Sequence, residues 1–350
     1  MGSLLAVPIG LLPVIIFLVT LWRMDRHQLT PLPRVIKLIA AGMGAACVSL
    51  LVSGLLIEIL PPDLTRLFLA PLIEEIAKAM IVVALFRASR IGFLVDAAIL
   101  GFAVGAGFAL AENLYLMVFG PPMGEGVWVV RGLGTAVMHG GVTAIFAIVA
   151  QRFTERSKRL DLKFFIPGLV MATALHWAFN QFYFSPLLHT LAVLVLLPLL
   201  LFLVFSKSAD DLRIWMQLDF DADAVLIQEI NSGQLRNTRA GDFLDDIRNR
   251  FPGEIVGDML CYLRIYTELS LRAKGLLMMR EHGMEPEYDP ALTPLFDELR
   301  YLRESIGQIG VLALQPFLNY DRKQLWQLLV LKGQHRAGEK AAMREDSRPG

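Results

Sequence analysis

The sequence predicts an all-α polytopic membrane protein, a bundle of about seven transmembrane helices followed by a C-terminal helical domain in the cytoplasm. Three observations carry this expectation. Of 350 residues, 55% are hydrophobic and only 19% charged, with a mean hydropathy of +0.52, whereas soluble domains carry roughly 25% charged residues. Apolar stretches long enough to cross a hydrocarbon core of about 30 Å, at about 1.5 Å per residue, recur through the first half of the chain. Residues 1–205 hold 14 basic and 10 acidic side chains, against 19 and 23 in residues 206–350. The chain therefore divides into a membrane domain, 1–205, a helical domain, 206–332, and a disordered tail, 333–350.

The predicted spans run near 4–22, 35–60, 66–86, 91–119, 127–151, 163–184 and 187–205. The first lacks a positive n-region and a small-residue cleavage site before Arg23, so it reads as a retained helix and not a signal peptide. Lysine and arginine in the short loops set the orientation. Arg23, Arg26, Arg34 and Lys37 follow span one, and Arg87 and Arg90 follow span three. Arg152, Arg156, Lys158, Arg159 and Lys163 follow span five, and Lys207 and Arg213 follow span seven. The alternate loops offer only Arg66 and Arg131. The N-terminus is therefore expected outside and the polar half in the cytoplasm. There, Glu254 to Glu281 and Ala291 to Ile309 mix apolar and charged residues at helical spacing. His282 and His335 read as isolated surface residues.

A net charge of zero removes the basic surface that a nucleic-acid partner needs. Two cysteines, Cys47 and Cys261, supply neither a disulfide framework nor a thiolate metal site. The chemistry must lie where ionisable residues sit at lipid depth, each at a cost of roughly 2.5–3.5 kcal/mol. Four spans carry them: Glu74, Glu75 and Lys78 on span three, Glu112 and Asn113 on span four, His139 and Thr143 on span five, His176 and Asn180 on span six. Counted from the predicted outer ends, Glu74, Glu75, Glu112, His139 and His176 fall in one layer roughly 10–18 Å deep. Glu74 with Lys78, His139 with Thr143 and His176 with Asn180 are i, i+4 pairs, so each is expected to face one cavity.

Two imidazoles with carboxylates suit zinc, held by three protein ligands with a position left for water. A further glutamate then serves as general base. Without a metal, a glutamate in an apolar cavity can activate water while histidine and asparagine stabilise the oxyanion. Both schemes hydrolyse an acyl bond, and the residues alone leave them open.

Glu74-Glu75-x-x-Lys78, Phe108-x-x-x-Glu112-Asn113, the glycine-flanked His139 and His176-Trp177-x-x-Asn180, in this order on consecutive helices, resemble the motifs of the PrsW family of intramembrane proteases. The resemblance covers roughly residues 66 to 184, and the family is similar to the wider group of CAAX prenyl proteases and bacteriocin-immunity proteins. That group has an arginine four residues after its Glu-Glu pair and a histidine where Glu112 stands here, which leaves metallo- and glutamic-type mechanisms both open. The resemblance implies an intramembrane endopeptidase in a bacterial inner membrane. It would act near the extracytoplasmic end of a single-pass, membrane-anchored protein such as an anti-sigma factor.

On this reading Glu75 activates water with Glu74 assisting, and Lys78 balances their charge. Glu112, His139 and His176 hold a zinc ion or, in a metal-free glutamic enzyme, the oxyanion, and Asn180 donates to the developing charge. Simpler roles are expected elsewhere: Lys78 neutralising Glu74, Asp96, Glu58 and His189 at interfaces, and Phe108 and Trp177 packing. Gly101, Gly105, Gly132, Gly134, Gly140 and Gly141 should permit close helix approach. An ion- or proton-coupled transporter and an inactive membrane scaffold are the competing classes. Inverted repeats would favour the first and a missing glutamate or histidine the second, and the sequence has neither.

Overall fold

The computed structural model describes residues 6–25, 30–155, 160–181, 183–233, 238–248, 251–284, 286, 288–318 and 322–346. The first residues of span one, the loop cations Arg26, Arg156, Lys158 and Arg159, and the end of the tail, 347–350, lie outside these. Among the described residues the fold is all-α, with no strand.

The first compact unit, Met1–Ala209, contains α1 (Ala6–Met24), α2 (Leu32–Ile57), a turn of helix α3 (Pro62–Leu64) and a π-helical segment, Thr65–Leu69, leading into α4 (Ala70–Arg87). Next come α5 (Leu94–Phe119), then α6 (Glu125–Val129), a second π-helical segment, Val130–Thr135, and α7 (Ala136–Glu155). After α8 (Ile166–Asn180), α9 (Pro186–Ser232) runs without a break past the predicted end of span seven at residue 205. Prolines at the first turns of α2 and α8 pre-set the helical φ where no N–H is needed.

Among the described residues, six helical stretches are long and apolar enough to cross a membrane: Ala6–Met24, Leu32–Ile57, Leu94–Phe119, Glu125–Glu155, Leu162–Asn180 and Pro186–Ser232. The remaining predicted span is α4, whose hydropathy is lowered by Glu74, Glu75, Lys78 and Arg87. The bundle is thus multi-pass, with about seven spans.

Helix α5 is the central post, buried along most of its length and packed against α2 and α7. Glycines make this possible. A Cβ on Gly42 of α2 would fall 2.0 Å from the Val104 carbonyl oxygen, and one on Gly105 of α5 2.2 Å from that of His139. Lipid offers no hydrophobic force between helices, so this backbone approach supplies the dispersion contact that holds them. Around it, Val14 and Leu18 of α1, Val82 and Phe86 of α4, Phe102 of α5, Phe146 of α7, Phe179 of α8 and Leu197 and Leu201 of α9 form one core.

Asp96, in the first turn of α5, is 1% exposed, its Oδ2 accepting the backbone N–H groups of Gly92 and Phe93. A carboxylate there satisfies amides that α5 itself cannot pair.

The second unit, Asp210–Gly350, comprises the rest of α9, α10 (Arg239–Arg248), α11 (Gly253–Glu281), α12 (Leu292–Ala313), α13 (Gln315–Leu318) and α14 (Arg322–Asp346). Its apolar core includes Tyr262, Leu263, Leu269, Leu277 and Trp326. Inside it, Asp223 accepts from fully buried Lys274 (2.6 Å) and from Ser270 (2.5 Å), and Gln327 donates to Ser270 (2.7 Å). Two expectations change here. Helix α14 continues past Lys332 to Asp346, a stretch rich in Ala, Glu, Lys and Arg, all good helix formers. His335 is buried, 2.6 Å from Thr293 Oγ1 and stacked on Tyr288, because α14 turns that side of itself inward.

Candidate active site

Four helices deliver the polar residues to one place. Both π-helical segments lie just upstream of it, Thr65–Leu69 before Glu74 and Val130–Thr135 before His139. Such segments re-aim the side chains that follow and recur at functional sites.

A continuous chain of polar contacts links the helices. His139 Nε2 lies 3.1 Å from Glu112 Oε2, and its Nδ1 lies 3.1 Å from Lys78 Nζ. Lys78 Nζ donates to Glu75 Oε1 at 2.5 Å, and the same oxygen accepts from His176 Nδ1 at 2.7 Å. His176 Nε2 lies 3.7 Å from Glu74 Oε2. The two imidazoles meet edge to face with centroids 4.7 Å apart, and Phe108 covers both His139, at 5.1 Å, and the Lys78 ammonium, at 4.8 Å.

These contacts fix the ring nitrogens. A carboxylate oxygen accepts, so His176 carries its proton on Nδ1 and turns the Nε2 lone pair towards Glu74. An ammonium only donates, so His139 receives Lys78 on Nδ1 and donates from Nε2 to Glu112. Each imidazole therefore has one nitrogen tied to a carboxylate; the other nitrogen's lone pair faces Glu74 in His176 and accepts from Lys78 in His139.

That donor set fits a divalent metal. Ligand atoms of Glu74, His139 and His176 all lie within 4.8 Å of one another, and Glu75 and Glu112 stand behind the histidines as the outer carboxylates that metal-binding imidazoles require. A metal on His139 Nδ1 would have to displace Lys78 from that lone pair. The sequence reading placed Glu112 in the ligand set and Glu74 beside the base. In the structure Glu74 belongs to the three-residue cluster, while Glu112 sits outside it, paired to Arg131 at 2.9 Å and to His139.

The i, i+4 expectations fare less well. Lys78 pairs with Glu75 at i, i+3 and not with Glu74. The Thr143 hydroxyl donates back to the His139 carbonyl at 2.9 Å, so it serves its own helix. Asn180 is half-buried at the end of α8, one turn beyond His176, and bonds to none of the cluster among the described residues. Arg131, read from the sequence only as a loop charge, was missed. Its one signal is that it is one of only two cations, with Arg66, on the predicted outer side, and is flanked by glycine-rich stretches.

A buried network of Glu, His and Lys thus lies within a multi-pass membrane bundle. The chain belongs to the PrsW family, described as intramembrane metalloproteases, whose model matches residues 30–205, half of the chain. It matches none of the curated proteins and none of the solved structures with which it was compared. The protein is thus an intramembrane protease, and its family, described as metalloproteases, implies a divalent metal.

Proposed function

We propose that the protein is a zinc-dependent endopeptidase that cuts single-pass membrane-anchored proteins, anti-sigma factors or similar signalling proteins among them, near their extracytoplasmic ends. The observation that carries this reading is the cluster of Glu74, His139 and His176 in a membrane bundle of this family. Two imidazoles and a carboxylate are a donor set that zinc takes in hydrolases. When bound, the ion would polarise the scissile carbonyl and acidify water.

The chain's own residues divide the remaining work. Of the three carboxylates, Glu75 is paired with Lys78 and Glu112 with Arg131. Glu74 has no lysine or arginine within ion-pair distance among the described residues, and its side chain is 20% exposed. With one oxygen in the donor set, its other oxygen is the group to receive the proton of attacking water. Glu75, 2% exposed and already accepting twice through one oxygen, orients His176. Glu112 orients His139. Asn180 lies one turn from His176 and supplies an amide to the developing oxyanion once a substrate carbonyl occupies the cavity.

A glutamic-type mechanism is the second reading, and one contact favours it: with Lys78 on His139 Nδ1 and Glu112 on Nε2, both ring nitrogens have protein partners. One experiment tests both. The purified full-length protein is incubated with a panel of single-pass membrane proteins, with and without chelator, and zinc is then returned. Cleavage that stops with chelator and recovers with zinc supports the metalloprotease. Cleavage indifferent to chelator supports the glutamic enzyme, and no cleavage of any member overturns the substrate class.

A further inference from the structure

We propose that Arg131 is a positioning residue that fixes His139 for metal binding by clamping Glu112. The proposal rests on the metal-centre reading above. An arginine near a helix end in a membrane protein ordinarily extends to the headgroups. Arg131 does not: its side chain is only 17% exposed, and it turns inward from the π-helical segment onto α5. There Nη2 pairs with Glu112 Oε1 at 2.9 Å, and Nε donates to Asn113 Oδ1 at 3.0 Å. Asn113, 1% exposed, is in turn anchored by donating to the Gly10 carbonyl of α1 at 2.8 Å.

The planar guanidinium thus spans two consecutive residues of α5, a geometry that a lysine point charge cannot reproduce. The consequence falls on Glu112. One of its oxygens meets Arg131 and the other meets His139 Nε2 at 3.1 Å, so the carboxylate cannot rotate without losing a partner. Its side chain is 24% exposed. Without the arginine only the His139 contact would hold it, and the carboxylate would be free to turn away from that imidazole. The chain Gly10, Asn113, Arg131, Glu112, His139 therefore carries the placement of α1 and α5 to a metal ligand on α7.

The test uses Co2+ as the probe, titrated into the purified full-length protein and followed by its visible absorption. Replacement of an outer partner typically costs 10–100-fold in metal affinity, and R131M is expected to lose about that factor, with a changed Co2+ spectrum. R131K, which keeps the charge without the fork, should fall between R131M and wild type. E112Q should match R131M, and E112Q/R131M should be no weaker than E112Q alone, because both changes break one path. Unchanged affinity in R131M, or losses that multiply in the double variant, would overturn the proposal. If R131M does not fold, R131K decides: wild-type affinity there overturns the proposal. H139A and H176A separate the two readings. Wild-type Co2+ binding in H139A overturns the metal centre and this proposal together, whereas binding lost in H139A and retained in R131M overturns this proposal alone.

Discussion

Glu74 and Glu75 are neighbours whose surroundings differ in kind. Glu75 shares one oxygen between Lys78 and His176 and is buried, whereas Glu74 faces His176 Nε2 and remains a fifth exposed. Their isosteric replacements should therefore fail differently. Glu74→Gln removes the group that takes the proton and should lower turnover by about 10²–10⁴ with little change in thermal midpoint. Glu75→Gln leaves a fully buried lysine without its carboxylate, a loss of about 3–5 kcal/mol, so its midpoint should drop by about 6 °C or more along with activity. Unfolding and cleavage measured on both variants decide the matter; an active Glu74→Gln beside a stable, inactive Glu75→Gln would return the base to Glu75. The sequence brought both residues into view, but its reading gave the base to Glu75 with Glu74 assisting, the reverse of the roles proposed from their surroundings. Positions i+3 and i+4 lie on the same helix face, so spacing alone gave Lys78 to Glu74 while the actual rotamers give it to Glu75. Arg131 was invisible for a related reason, since nothing local to it says which way a cation at a helix end will turn.

At the scale of elements the spans were legible because length and apolarity are local properties, and α4 was legible through the same charges that depress its hydropathy. The π-helical turns before Glu74 and His139 were not, since no residue pattern marks them in advance. The glycines carry a sharper consequence. A Cβ on Gly105 would lie 2.2 Å from the carbonyl oxygen of His139, against rigid backbone, so Gly105→Ala must push α5 away from α7. Overpacking of this kind costs about 1–3 kcal/mol, and here it also moves a metal ligand, so midpoint and turnover should fall together. Gly44 of α2 has nothing within 4 Å of its Cβ position. Gly44→Ala should be neutral, or stabilising by up to about 1 kcal/mol, since glycine is a poor helix former. Equal behaviour of the two variants in thermal unfolding would remove the close-approach argument for α5 and α7.

For the whole molecule, orientation and cut position are one prediction. By the excess of lysine and arginine after spans one, three, five and seven, the N-terminus and the 120–126 loop should lie outside and residues beyond 205 in the cytoplasm. Reporter fusions within 120–126 and after Phe205 should therefore report opposite sides, and the same side for both would overturn the topology. Depth follows from orientation. Counted along the helices, Glu74, Glu112, His139 and His176 lie roughly 10–18 Å below the outer face. A helical substrate presents carbonyls already hydrogen-bonded within its own backbone and shielded from attack, so it must unwind to be cut. Unwinding is least costly near a membrane surface, where water can take the freed backbone groups that lipid cannot. Cleavage should therefore fall in the outer half of the substrate's apolar span, shedding an outer domain and leaving a shortened stub on the cytoplasmic side, an initiating step suited to signalling across the membrane. Mass spectrometry of the products locates the cut against the substrate's apolar stretch. A cut in its cytoplasmic half, with the fusions as expected, would show that substrate reaches the cluster of Glu74, His139 and His176 from the other side of the bundle.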